Sequence, residues 1–475
     1  MGELAKKTKF AIIWNALERV CVQGISFVVS IILARILSPS DFGLIGMLTI
    51  FISLSTLIIE GGFTKALIQK PDCRDEDYST AFVSNVVVAI LLYLILYFSA
   101  PFIADFYKEP VLTKLLRILS LNFVIGSINI VQIAKLMRNM MFRQLAIVNS
   151  VGTIVGGVVG IAMAYGGLGV WAIVGQHIAH RFIMVAVFPF FSKWKFSITF
   201  SLDSFKSLFG YGSKLLISNG VSIITNNISS VAIGKLYTSQ QLGYYTRADQ
   251  LSNVVASTIN DVLVSVSFPV LSEVQKQRER ILSIFKKSLF YSVWFFMPIS
   301  FLLVVLARPL ILILLTEKWA PAVVLFQLLC ASRIFLPMYS LNMSFMNAVG
   351  RSDLYMKTEL VKVPFNLLIL FITIPLGVYA IAIGTLISSI ISVCINSYYI
   401  GKLYDYGFLK QIKDICPIIF TTILMSIFVY IIQHLFTSEW LQLIVGGISG
   451  VCGYLLCSIL MKTVTISDIR MFLNK

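Results

Sequence analysis

The chain has 475 residues, of which 58% are apolar and 13% are charged, and its mean hydropathy is +0.89. This composition excludes an ordinary water-soluble domain and indicates an integral membrane protein. The 38 lysines and arginines exceed the 22 aspartates and glutamates, which gives a net charge of +16. The excess lies mainly in the connections on one side of the apolar segments, so it does not indicate a nucleic-acid partner.

Apolar segments long enough to cross a bilayer, roughly 20 residues each, recur along the whole chain. We predict fourteen membrane spans joined by short connections, of which the longest covers residues 192–210. No soluble domain is therefore inserted, and the function must reside in the helices and short loops. The predicted spans are 10–34, 42–64, 80–104, 115–134, 146–166, 169–191, 211–234, 243–268, 288–314, 321–347, 357–376, 379–401, 415–433 and 440–461.

Basic residues are distributed unequally between the two sides of this topology. The tails and the connections after even-numbered spans hold most of them. The connections on the other side hold six, namely Arg35, Lys108, Lys114, Lys235, Arg308 and Lys318. The positive-inside rule then predicts that both termini are cytoplasmic. The seven cysteines fall within spans or cytoplasmic connections, so we expect neither disulfides nor a metal cluster, and no motif indicates a cofactor.

The chain contains an internal repeat at an offset of two hundred residues. The segment SIILARILSPSDFGLIGML at 30–48 is similar to SVAIGKLYTSQQLGYYTRA at 230–248. The matched positions are Ser30 with Ser230, Arg35 with Lys235, Ser38 with Thr238, Phe42 with Leu242 and Gly43 with Gly243. Six spans separate the copies, so both halves have the same orientation, as in parallel-repeat transporters. We expect Pro39 and the two matched glycines to support a turn at each corner.

The repeat predicts an all-α polytopic membrane protein with about fourteen transmembrane helices. Two parallel-repeat six-helix lobes, at residues 1–195 and 196–402, would surround a central polar cavity. Residues 403–475 would add two C-terminal helices and a cytoplasmic tail.

Polar side chains at helical spacing lie on spans 1, 2, 7 and 8. Packing through small polar residues would explain any single stripe. Their recurrence on repeat-related helices favours a cavity between the lobes. The residues on these stripes that we assign to the cavity are Asn15, Arg19, Gln23, Glu60, Asn219, Asn226, Arg247, Asn253 and Asp261.

Charged residues inside the spans sharpen this hypothesis, because each costs roughly 2.5–3.5 kcal/mol at the bilayer centre. Arg19 and Arg333 lie near the middle of their spans, which favours a role in function. Arg181 fits a helix-helix pair and a cavity lining equally well. Arg247 and Asp261 lie toward opposite ends of the eighth span and would suit gating. A cationic cavity favours an anionic substrate, because guanidinium makes forked contacts with phosphate oxygens.

The segments RILSPSDFGL at 35–44 and GGFTKALIQK at 61–70 closely resemble paired motifs of a known family. It is the polysaccharide-transporter branch of the multidrug/oligosaccharidyl-lipid/polysaccharide (MOP) flippase superfamily, the Wzx-like flippases of lipid-linked oligosaccharides. The resemblance implies two six-helix lobes in a V shape that turn an undecaprenyl-pyrophosphate-linked oligosaccharide from the cytoplasmic to the outer leaflet. It further implies a bacterial inner (plasma) membrane, surface-polysaccharide assembly and contact with polymerase machinery.

The resemblance places a cavity-facing arginine at Arg19, with Arg247 and Arg333 as weaker matches. Asn219 occupies the repeat position of Arg19, so the charge is not symmetric between the lobes. Arg19 and Arg333 would hold the diphosphate, while the polar residues of the four stripes would meet sugar hydroxyls. Rocking of the lobes would alternate access.

The direction of transport needs a driving force. Four acids are candidates for proton or sodium coupling, and ion pairs with the arginines would explain them equally well. These acids are Glu18, Glu60, Asp249 and Asp261.

Two other classes of protein share part of this pattern. A MATE-like cation or drug antiporter would share the duplication, but its cavity should be dominated by acids. A membrane glycosyl-transfer enzyme would need a large external loop, and no external connection exceeds about fifteen residues. No nucleotide-binding G-x-x-x-x-G-K-[ST] motif is present. We therefore predict a transporter and not an enzyme, with the antiporter as the alternative.

Overall fold

The computed structural model describes residues 2–70, 72–192, 197–461 and 463. Within the helices, only the backbone is described at residues 2–13, 15–17, 19, 60, 61, 211–215, 217, 218, 261, 262 and 352. Over the described ranges every regular secondary-structure element is a helix, and there is no β-strand. This confirms the predicted all-α class.

The described residues separate into two compact units, Met1–Gly243 and Tyr244–Lys475. The first unit contains α1 (Gly2–Ile36), α2 (Pro39–Gly61), α3 (Phe63–Gln69), α4 (Asp75–Tyr107), α5 (Val111–Leu119), α6 (Leu121–Ser127), α7 (Ile130–Arg138), α8 (Phe142–Tyr165), α9 (Trp171–Phe191) and α10 (Leu202–Leu236). The next helix, α11 (Ser239–Glu273), crosses the boundary. The second unit continues with α12 (Arg278–Val305), α13 (Ala307–Leu315), α14 (Ala322–Arg333), α15 (Leu336–Ala348), α16 (Ser352–Thr373), α17 (Val378–Tyr404), α18 (Phe408–Gln433) and α19 (Glu439–Leu460).

In the first unit, α8 packs against α1 and α9, and α10 packs against α2, α3 and α4. The buried face of α8 carries small residues, which let neighbouring helices approach closely in a membrane protein. Helix α10 begins at Leu202, six residues after the predicted start of the second lobe at residue 196. The division into 1–195, 196–402 and 403–475 stays a prediction.

In the second unit, a hydrophobic core joins α12, α15, α17 and α18, with Phe285, Phe345 and Tyr406 at its centre. The last two helices are part of this unit, because α18 packs against α12 and α19 packs against α13 and α18. The Tyr454 hydroxyl donates to the Trp294 carbonyl at 2.8 Å, which ties α19 to α12.

Eleven helical segments of the described chain are long and apolar enough to cross a membrane. The bent pair Val111–Ser127 and Ile130–Arg138 raises this number to twelve. The helices α1 and α10, of 35 residues each, coincide with the first and seventh predicted spans. Both include side chains outside the described set, so the total of fourteen stays a prediction.

Several predicted spans are broken where the sequence suggests continuous helices. The fourth is divided among α5, α6 and α7, with a bend of 44°. The tenth breaks at 334–335, between α14 and α15, and Pro337 lies in the first turn of α15. A proline fits this position because the first turn of a helix does not use its amide as an internal donor.

The two copies of the repeated corner begin their helices in the same way. The Ser38 amide donates to Asp41 Oδ2 at 2.9 Å, and the Asp41 amide donates to Ser38 Oγ at 3.3 Å, which forms a capping box. In the second copy, the Thr238 amide donates to Gln241 Oε1 at 3.4 Å and the Gln241 amide donates to Thr238 Oγ1 at 3.2 Å. The same local chemistry is therefore present in both repeats.

The expected role of the two matched glycines is wrong. Gly43 and Gly243 lie inside α2 and α11, and neither has a positive φ. The caps make the corners, and the glycines serve a close approach of the two helix starts. A Cβ on Gly43 would overlap the Ser239 carbonyl oxygen and lie 3.1 Å from the Gly243 amide nitrogen.

Candidate functional site

The second unit brings two predicted residues together in a charged cluster on α11 and α14. Arg333 Nη2 lies 2.8 Å from Asp249 Oδ1, and Arg333 Nη1 donates to Ser252 Oγ at 2.5 Å. The Arg333 side chain is 17% exposed and that of Asp249 is 46% exposed. The guanidinium is therefore largely enclosed, while its carboxylate partner is accessible.

The helix break explains how Arg333 reaches this cluster. Arg333 is the last residue of α14 and the twelfth of the 27-residue span Ala322–Ala348, near its middle. A charge at this depth needs a partner, because desolvation there is costly. Asp249 and Ser252 are three residues apart on α11, so both face the guanidinium from one side of that helix.

Arg247 is on the same helix but lies inside the unit. It is only 2% exposed, and its Nη1 donates to Gln250 Oε1 at 2.7 Å. One helical turn thus separates donor and acceptor. Arg247 is therefore buried within the second unit, and residues two apart on a helix, as Arg247 and Asp249 are, do not face each other.

In the first unit, Glu18 accepts a hydrogen bond from Asn149 Nδ2, which connects α1 to α8. Arg181 lies on α9 where that helix meets α6, with its guanidinium beside Gly126. These two predicted residues therefore lie at helix-helix contacts within the first unit.

The other predicted site residues do not join a common cluster in the described part of the chain. Gln23 and Asn226 in the first unit are exposed, as is Asn253 in the second, whereas Asn219 is half-buried. The side chains of four further predicted residues lie outside the described set, namely Asn15, Arg19, Glu60 and Asp261.

Sequence reasoning missed Ser252 and Asn149. Ser252 lies one helical turn after Asp249, so the sequence could have predicted that it shares a helix face with this membrane acid. Asn149 carried no such signal, because its pairing with Glu18 depends on how α1 packs against α8.

Comparison with known proteins agrees with this architecture. The model of the family described as polysaccharide biosynthesis protein matches residues 32–324, which is more than half of the chain. The chain is 24% identical to the succinoglycan biosynthesis transport protein ExoT of Rhizobium meliloti (strain 1021), over 92% of this chain and 90% of that protein. It is 23% identical to the lipopolysaccharide biosynthesis protein WzxC of Escherichia coli (strain K12), over 84% of this chain and 81% of that protein.

The solved structure of the lipid II flippase MurJ, in an inward closed conformation, has the same fold. The TM-score is 0.75 at 17% sequence identity, over 94% of this chain and 98% of that chain. At this identity the likeness establishes the fold alone. The family resemblance inferred from the motifs at 35–44 and 61–70 is confirmed. The chain belongs to the polysaccharide biosynthesis protein family of multi-pass membrane proteins.

Proposed function

We propose that this protein flips a polyprenyl-diphosphate-linked oligosaccharide, with undecaprenyl as the carrier, from the cytoplasmic to the outer leaflet of a bacterial plasma membrane. ExoT is named a succinoglycan biosynthesis transport protein, WzxC is named a lipopolysaccharide biosynthesis protein, and MurJ, which shares the fold, is named a lipid II flippase. The single structural observation that carries the proposal is the mid-span guanidinium of Arg333 with its accessible partner Asp249.

The physical problem is the polar part of the substrate. A polyprenyl tail can remain in lipid, but a diphosphate and sugars need a polar route across about 30 Å of hydrocarbon. A cation near the middle of that route stabilises the diphosphate where its desolvation costs most. The position of Arg333 near the middle of its span supports this role.

Asp249 supplies the means to bind and then release the anion. In the substrate-free state its carboxylate balances the charge of Arg333, so the guanidinium is not left uncompensated. An incoming diphosphate competes for the same N–H donors, since guanidinium binds carboxylate and phosphate through similar forked contacts. The return of Asp249 to Arg333 then favours release.

Several of the other predicted residues keep their roles in this proposal. Arg19 would share the diphosphate with Arg333, Asn226 and Asn253 would contact sugars, and rocking of two lobes would alternate access. Both termini would be cytoplasmic. Proton or sodium coupling through the membrane acids and contact with polymerase machinery belong to the same proposal.

The test begins with deletion of the gene in its host. Mass spectrometry of extracted membrane lipids should detect a diphosphate-linked oligosaccharide that accumulates on the cytoplasmic leaflet. Wild type should abolish the accumulation, and Arg333→Ala should not. Arg351→Ala is the matched control, because Arg351 is exposed and pairs with Asp353 at the start of α16.

Two results would oppose the proposal. Absence of any accumulated lipid-linked oligosaccharide, together with raised sensitivity to cationic compounds, would favour the MATE-like antiporter. Full rescue by Arg333→Ala at normal protein levels would remove Arg333 from the transport route.

A further inference from the structure

A cavity of about 600 Å³ lies at the corner between α17 and α18 in the second unit. Its lining combines an apolar wall with basic side chains at the helix ends. The lining residues include Cys394, Tyr398, Lys402, Phe408, Leu409 and Lys410. None of them belongs to the cluster around Arg333.

The corner is held in one shape by buried polar contacts. Gln411 Nε2 donates to Asn342 Oδ1 at 3.0 Å and to the Tyr406 carbonyl at 3.2 Å, while Asn342 Nδ2 donates to Ser397 Oγ at 3.0 Å. These residues connect α15, α17 and α18 behind the cavity. A Cβ on Gly401 would lie 2.9 Å from the Gly407 Cα, so the two helix ends cross very closely. The cavity is therefore formed in advance of any ligand.

An apolar stripe on α17 leads into this cavity. The stripe consists of Tyr379, Ile383, Ile387, Ile390 and Tyr398, all exposed and spaced three, four or eight residues apart. Cys394 fills the gap before Tyr398 and lines the cavity. Such spacing places the residues on one face of the helix. This apolar face is exposed in the structure and runs along α17 toward the cavity.

The charges at the mouth are positive on balance. Lys410 Nζ lies 2.6 Å from Asp405 Oδ2, whereas Lys402 has no acidic partner in the described part of the chain. The hydrogen bond from Lys410 holds the pKa of the Asp405 carboxyl below its usual range, so this acid is ionised near neutral pH. Two lysines and one aspartate leave a net charge of +1 at the lining.

A third basic group, Arg278, reinforces this field beside the cavity. Arg278 Nη2 donates to the Leu403 carbonyl at 2.5 Å, and its guanidinium lies 5.4 Å from the centre of the Tyr404 ring. The sequence predicts that this corner is cytoplasmic. Basic pockets between transmembrane helices at that surface are suited to anionic lipid head groups.

We propose that this cavity binds an anionic glycerophospholipid of the surrounding membrane, with its phosphodiester at Lys402 and Lys410 and one acyl chain along the α17 stripe. Two lysines outnumber one aspartate at the lining and Arg278 lies beside it, so the field favours an anionic head group over a neutral one. Leu409, 81% exposed, and Phe408 contact the glycerol region and the start of the second chain. The site anchors the α17–α18 corner to the membrane surface.

The test uses the purified full-length protein in a phosphate-free detergent and native mass spectrometry. Phosphatidylglycerol is titrated, with phosphatidylcholine as the neutral lipid of equal chain length. Wild type should retain phosphatidylglycerol in preference to phosphatidylcholine. The double variant Lys402→Gln, Lys410→Gln should bind phosphatidylglycerol roughly tenfold more weakly. Lys413→Gln is the matched control and should bind as wild type does, because Lys413 is exposed on α18 but does not line the cavity.

Competition distinguishes the possible sources of the phosphate. Undecaprenyl diphosphate or inorganic phosphate, added at equal concentration, should not displace phosphatidylglycerol from wild type. Displacement by either one would overturn the proposal in favour of a carrier-lipid site or a simple anion site. Equal phosphatidylglycerol binding by wild type and by a double variant with an unchanged circular dichroism spectrum would also overturn it.

Discussion

Asp249 and Arg333, 84 residues apart in the sequence, form an ion pair of 2.8 Å between α11 and α14. The pair joins a predicted coupling acid to a predicted substrate-binding arginine. It lies where α14 ends, close to the middle of a membrane span. Asp249 is therefore a residue to which both hypotheses for the membrane acids apply: it is a candidate for ion coupling, and it forms an ion pair with an arginine.

Asp249→Asn tests whether this carboxylate competes with substrate. We expect the variant to bind undecaprenyl diphosphate about tenfold more tightly, which is about 1.4 kcal/mol, because Arg333 loses its internal anion. Its transport should be slower, because release loses the returning carboxylate. Native mass spectrometry of the purified protein measures the first effect, and the accumulated lipid-linked oligosaccharide in complemented cells measures the second.

Asp353→Asn, at an exposed helix start, is the control for Asp249→Asn and should leave binding and transport unchanged. An Asp249→Asn variant with wild-type affinity for the diphosphate would show that Asp249 has only a structural role.

Gly43→Ala tests the close approach of the two repeated corners. The added Cβ would overlap the backbone oxygen of Ser239, and backbone cannot move aside as a side chain can. We expect a loss of about 1–3 kcal/mol in stability and a lower apparent melting temperature of the purified protein. Gly24→Ala is the control, because no atom lies within 4 Å of its Cβ position apart from its chain neighbours and the adjacent backbone of α1. Equal melting temperatures for the two variants would contradict the predicted clash.

A second ion pair involves Lys70, the last residue of the motif at 61–70. Lys70 Nζ lies 2.7 Å from Asp77 Oδ1, Asp77 Oδ2 accepts from the Arg74 amide at 3.0 Å, and Arg138 Nη1 donates to the Lys70 carbonyl at 2.6 Å. The Asp77 side chain is almost fully buried. This contact joins the end of α3, the start of α4 and the end of α7.

Asp77→Asn should therefore destabilise the protein by about 3 kcal/mol, since it leaves Lys70 without its carboxylate at a partly buried site. Asp75→Asn is the matched control, because Asp75 is exposed in the same helical turn. Thermal unfolding in detergent compares the two variants. The ion pair would prove to be without effect on stability if Asp77→Asn and Asp75→Asn unfolded at the same temperature.

The buried amide pair of Asn342 and Gln411 gives a further prediction. Gln411→Leu leaves the Asn342 amide without its reciprocal partner, so we expect a loss of about 1–3 kcal/mol. The double variant Asn342→Leu, Gln411→Leu removes both polar groups and should recover part of the loss. Thermal unfolding compares these variants with Asn342→Leu. This account of the pair would be contradicted if the double variant lost more unfolding free energy than the two single variants lose together.

Hydropathy and the internal repeat were enough to predict several features of this protein. The helical membrane class follows from long apolar segments, and the two equivalent corners follow from the match between 30–48 and 230–248. The caps at Ser38 and Thr238 were not predicted, although each depends on a side chain that bonds an amide three residues away. The family follows from two short motifs near the first corner. Each of these features depends on residues that are close together in the chain.

The candidate site was predictable only in part. The cost of burying charge pointed to Arg333 and Asp249 separately, but their pairing with each other and with Ser252 depends on how α11 packs against α14. The break at 334–335 that places Arg333 at a helix end was not predicted either, since the segment from 322 to 348 is apolar enough on average to be taken as one continuous span.

The sequence by itself determined that the chain is a helical membrane protein of this family, because apolar length and helix caps are local properties. The tertiary structure decided which charges neutralise one another and why Gly43 and Gly243 must be glycine. It also decided where a basic cavity opens at the α17–α18 corner. These outcomes depend on distances between helices far apart in the sequence, which no local pattern encodes.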